Sequence, residues 1–126
     1  MRLSNLLVVS AVIATIFGVG LVVATGPLLS IYGITLDKPG TVVGQLFGAV
    51  LIGFAVLNWF ARDVTDPAGR TAVVLGNLVG DAVGFVVILL GQLAGVGNTL
   101  GWSNVAIYLL LTLAFAYVQF MQRGSA

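Results

Sequence analysis

The chain has 126 residues, 60% hydrophobic and only 7% charged, with five basic and four acidic side chains and a net charge of +1. A soluble domain carries about 25% charged residues, so the composition excludes an ordinary water-soluble globule, and the absence of a basic stripe excludes a nucleic-acid partner. Cys, His and Glu are missing, which removes disulfides, Fe–S clusters, thiolate zinc sites and haem ligation by His or Cys. Neither catalytic residues nor a cofactor nor a metal set is expected, and the chain reads as a non-enzyme.

Four apolar runs occupy about residues 4–24, 41–61, 71–94 and 102–121. Each is close to the length that crosses a ~30 Å hydrocarbon core at 1.5 Å per residue. The expectation is an all-α polytopic membrane protein: a single four-transmembrane-helix domain over 1–126, with the lipid bilayer as its first partner. The first run follows Arg2 and resembles a secretory signal, but its apolar core exceeds the usual ~7–15 residues, which favours a spanning helix. Gly26-Pro27 is expected to stop it, because proline lacks a donor and clashes with the preceding turn. Residues 27–33 then read either as a short interfacial helix anchored by Tyr32 or as an irregular loop.

Asp37-Lys38-Pro39-Gly40 reads as a polar turn before the second run. Residues 62–70, with Arg62, Asp63, Asp66, Pro67 and Arg70, form a charged loop before the third. Residues 95–101, with Gly95, Gly97, Asn98 and Gly101, form a short flexible one before the fourth. With four spans, Arg2, Arg62, Arg70 and Arg123 fall on one side and Lys38 alone on the other. That bias predicts both termini in the cytoplasm and argues against dual topology. Trp59 and Trp102 sit at opposite interfaces and Tyr117 near one of them, as aromatic belts do.

Small residues recur at helical spacing. Gly44 and Gly48 on the second run, and Gly76, Gly80 and Gly84 on the third, are expected to be helix-packing faces; a glycine-lined substrate path is the alternative. The segments 42–49 and 74–81 share the pattern V-x-G-[QN]-L-x-G on oppositely directed helices, which suggests a faint inverted repeat. Gln45 and Gln92 near one end of these two helices, and Asn58 and Asn77 near the other, read as interhelical hydrogen-bonding glue.

Asp81 is the one charge inside a span. A carboxylate at that depth costs about 2.5–3.5 kcal/mol on insertion scales, so it should face protein or water. By depth it neighbours Thr15 and Thr112, and Asn77 precedes it by one turn. One reading is a neutral carboxyl hydrogen-bonded to this set, holding the bundle together. A second is a proton- or cation-linked site, and a third is a contact to a basic residue of another subunit.

The segment Gly26-Pro27-Leu28-Leu29-Ser30-Ile31-Tyr32-Gly33, then Gly48-Ala49 with Arg62-Asp63, and the Gly101-Trp102 start of the last run resemble a family of small bacterial four-span membrane proteins of unknown function. The likeness implies a bacterial cytoplasmic (inner) membrane and supplies no catalytic residues. Small multidrug transporters are similar in size but carry a carboxylate in the first helix, which is missing here. Fluoride channels are similar in length, yet Asn77, Phe47 and Phe54 do not form their pattern.

Two functions follow, ahead of a third, an enzyme or lipid-binding protein. One is an accessory or scaffold subunit that packs against itself or a larger membrane complex, supported by the glycine faces and short loops. The other is a small oligomeric transporter or channel with Asp81 in its path. A dry Asp81 locked to Thr15 or Thr112 would favour the first; an accessible Asp81 would favour the second.

Overall fold

The computed structural model describes residues 2–121; Met1 and residues 122–126, among them the Arg123 of the charge argument, lie outside the described residues. Five α-helices follow one another among the described residues: α1 (Leu3–Val23), α2 (Thr25–Ile31), α3 (Lys38–Phe60), α4 (Pro67–Leu93) and α5 (Gly101–Met121). The four long ones have 21, 23, 27 and 21 residues. Each is long and apolar enough to cross a membrane.

Local chemistry sets the boundaries. Asp37 and Asp66 cap α3 and α4, accepting from the backbone N–H of Gly40 at 2.7 Å and of Gly69 at 2.8 Å. Pro39 and Pro67 follow within the first turn, at positions whose N–H has no helical partner. Both helices therefore begin three or four residues before the apolar runs do, at Lys38 and Pro67. Pro27 does not stop α1, contrary to expectation. α1 ends at Val23, and the backbone of Ala24 turns out of the helix at φ −141°, ψ 53°. Pro27 then sits in the first turn of α2, where it is harmless. The Thr25 hydroxyl donates to the Leu21 carbonyl and satisfies part of the α1 terminus.

The segment after Pro27 is helical up to Ile31. It closes in a Schellman turn: Gly33 takes φ 71°, its N–H donates to Ser30, and the Ile34 N–H donates to Leu29, both at 3.0 Å. Gly95 ends α4 in the same way at φ 82°.

The long helices pack as two pairs, α1 along α3 and α4 along α5. α1 crosses α3 where Gly18 meets Gly48. A Cβ on Gly48 would lie 2.7 Å from the Gly18 carbonyl oxygen, so only glycine permits this approach.

The pairs are joined at their ends. At the end that carries Arg2, Arg62 and Arg70, a buried cluster of Leu6, Leu7, Val74, Phe115 and Val118 draws in α1, α4 and α5. At the Lys38 end, the α4–α5 loop is tied to the end of α2. The Asn98 N–H donates to the Tyr32 carbonyl at 2.8 Å and the Asn98 amide to the Ile31 carbonyl at 3.0 Å.

Candidate functional site

Between these two fastened ends the helix pairs stand apart and leave a cavity of about 200 Å³. Phe17 of α1, Phe47 and Phe54 of α3 and the Tyr108 ring of α5 give it aromatic walls. Gly76 and Gly80 of α4 form part of its wall, and Asp81 and Asn104 add polar groups to the lining.

Among the described residues, Asp81 is the only charged one lining the cavity. Its Oδ2 atom is buried and has no hydrogen-bond partner among the described residues. The polar set expected around it does not assemble. Thr15 donates to the Ala11 carbonyl of its own helix at 2.8 Å. It lines a separate groove on the other face of α1 and α3, beside Val12, Ile52 and Val56. The helical period, which depth alone ignores, turns it away from Asp81. The Thr112 hydroxyl is likewise spent on its own helix, donating to the Tyr108 carbonyl at 2.7 Å.

Asn77 does line the cavity, but its amide is engaged elsewhere. It exchanges hydrogen bonds with Asn58 at 2.9 and 2.8 Å and donates to Val73 at 2.9 Å. Asn58 also donates to the Ser10 hydroxyl at 3.1 Å. These three buried residues, on α1, α3 and α4, form a polar latch that floors the cavity toward the Arg62–Arg70 end. The expected Gln45–Gln92 pair is absent: Gln45 reaches the Val22 carbonyl at 3.3 Å and Gln92 the Asn98 carbonyl at 2.9 Å.

The glycines divide. Gly44 lies against Thr25, Gly48 sits at the crossing with Gly18, and Gly84 lies under the Tyr108 ring; all three allow close packing. Gly76 and Gly80, expected to be packing positions as well, have nothing within 4 Å of a Cβ built on them. They are exposed and line the cavity instead. The matching halves of the sequence repeat thus occupy different surroundings, Gly48 in a tight crossing and Gly80 in open space.

The same exposure shows where the cavity opens. α3 and α4 scarcely touch apart from the Asn58–Asn77 pair, whereas α1 touches α5. On the α3 side Phe47, Val50 and Phe54 line the cavity and remain 46%, 56% and 37% exposed. Opposite them stand the bare backbones of Gly76 and Gly80. The opening is sideways, between α3 and α4.

Ser10, Asn104 and Tyr108 were not singled out from sequence. Ser10 heads a small-residue row with Ala14 and Gly18, all buried. Tyr108 falls well inside α5, away from the helix ends where belt aromatics are expected, and that position is a readable sign. No family model, no curated protein and no solved structure matches the chain.

Proposed function

We propose that this chain is a small four-span protein of a bacterial cytoplasmic membrane, with both termini on the cytoplasmic side, that works as a transporter or channel with Asp81 in its path. One observation carries the reading: the Asp81 carboxyl lines a cavity between two helix pairs and has a buried oxygen with no partner among the described residues. A carboxyl at mid-membrane depth is costly on insertion scales. A purely structural role would recover that cost through hydrogen bonds within the bundle, and the hydroxyls expected to provide them are bonded to their own helices. The glycine faces that favoured a scaffold lose part of their force, since Gly76 and Gly80 border the cavity rather than a neighbouring helix.

The test is flux across proteoliposomes. Protons, alkali cations and small organic ammonium ions are driven by imposed gradients through the wild-type protein and through Asp81→Asn. At least one of these should move with the wild type and stop with the variant, while helix content and melting temperature stay the same. No flux in the wild type, or equal flux in both proteins, overturns the reading.

A further inference from the structure

We propose that the cavity binds a small amphiphilic organic cation, an amine or quaternary ammonium with an apolar tail, that enters sideways from the lipid between α3 and α4. This rests on the transport reading above and gives it a substrate class and a route.

The charge of the ligand follows from the lining. Among the described residues, the cavity lining has one carboxyl and no Lys or Arg. The basic residues on the cavity-forming helices, Lys38 and Arg70, lie in the first turns of α3 and α4, away from Asp81. Asp81 Oδ2 lacks a partner among the described residues, so a cation would supply the missing counter-charge. The walls favour an organic cation over a hydrated metal ion. Phe17, Phe47, Phe54 and Tyr108 present aromatic rings, whose faces attract ammonium groups through their quadrupoles. A metal ion stripped of its water needs several oxygen ligands, and here Asp81 is joined only by Asn104, since Asn77 and Ser10 already hydrogen-bond Asn58.

The route follows from where the wall is missing. The helix pairs are tied together at both ends, by the Ser10–Asn58–Asn77 latch at one and by the Asn98 ties to Ile31 and Tyr32 at the other. The open side lies between α3 and α4, where Gly76 and Gly80 have no side chains to block it. With these helices across a bilayer, that side faces hydrocarbon. The head of an amphiphile then reaches Asp81 while its tail stays in lipid, which lets a cavity of about 200 Å³ serve a longer molecule.

The experiment uses the full chain in lipid nanodiscs and measures equilibrium and stopped-flow binding of benzyldimethyloctylammonium against protein-free nanodiscs of the same lipid. Its carbon isostere, with carbon in place of nitrogen, is the neutral control. The ammonium should bind at least about tenfold more tightly than the isostere, the scale of a desolvated cation–π contact. Asp81→Asn should remove that difference. Gly80→Leu should slow association about tenfold or more with unchanged helix content, because its side chain enters open space at the lateral opening. If Gly80→Leu does not fold, Gly80→Cys in this cysteine-free chain, capped with a bulky maleimide after folding, makes the same obstruction.

Equal binding of ammonium and isostere overturns the substrate class. So does Asp81-dependent flux of protons or alkali ions without ammonium binding, and that outcome leaves the transport reading standing. Unchanged association after the obstruction overturns the lateral route. Absence of both binding and flux overturns both readings.

Discussion

Asn58 joins three helices through one side-chain amide, linking its own α3 to Ser10 on α1 and Asn77 on α4. Interhelical hydrogen bonds in membrane proteins are worth about 0.6 kcal/mol on average, but stranding a buried polar partner costs about 1–3 kcal/mol. The second figure governs here, because Asn77 and Ser10 are buried and lose their partner together. Asn58→Ala should therefore destabilise the protein by about 1–3 kcal/mol in denaturant titrations in detergent. Gln45→Ala, which removes an exposed bond of 3.3 Å, should cost less than about 0.5 kcal/mol. Equal losses would show that the latch holds nothing. The polar identity of the latch was legible in the sequence, since Asn58 and Asn77 stand out in apolar runs. The failure of Thr15 and Thr112 to reach Asp81 was not, because depth along a helix gives no angle around it and a threonine inside a helix can satisfy itself on the carbonyl four residues back.

Between helices, the deciding contact is the Gly18–Gly48 crossing, where the backbones of α1 and α3 approach so closely that a Cβ would meet a carbonyl oxygen at 2.7 Å. Backbone atoms cannot rotate aside as a side chain can, so overpacking should cost about 1–3 kcal/mol. Gly53 lies on the same helix with nothing within 4 Å of a Cβ. There alanine should be neutral or stabilising, up to the ~1 kcal/mol by which it exceeds glycine in helix propensity. Thermal melts should thus fall for Gly48→Ala and hold or rise for Gly53→Ala, and an unchanged melt for Gly48→Ala would mean that α1 and α3 do not cross there. Glycine spacing announced Gly48 but gave Gly76 and Gly80 the same reading. Spacing records which positions share a face; whether that face meets a helix or a cavity depends on where the partner helix lies. The pairing of α1 with α3 and of α4 with α5 was equally hidden, because Val9, which is 46% exposed, and Val74, which is fully buried, have the same side chain. In a chain this apolar, composition does not separate the core from the outer surface.

Across the whole molecule, the apolar runs were legible because each is bounded by charge, proline or glycine, and the helices differ from them by only a few residues at each end. The fold adds a spatial argument to the proposed topology. α1 runs antiparallel to α3, so that Leu3 of α1, Ala61 after α3 and Val73 of α4 pack around one cluster. Arg2, Arg62 and Arg70 are consequently gathered at one end, with Lys38 at the opposite end as the first residue of α3. Positive charge near span ends resists translocation, so the end with the three arginines should remain in the cytoplasm. Reporter fusions check this directly. A periplasm-active phosphatase fused after Asp66 should be silent, and the same phosphatase fused after Asn98 should be active. Adding arginines beside Lys38 while replacing Arg62 and Arg70 with glutamine should weaken or reverse that pattern, since the bias itself sets the orientation. Phosphatase activity after Asp66 and none after Asn98 in the unmodified chain would turn the molecule over, and with it the side of the membrane on which each tie between the helix pairs lies.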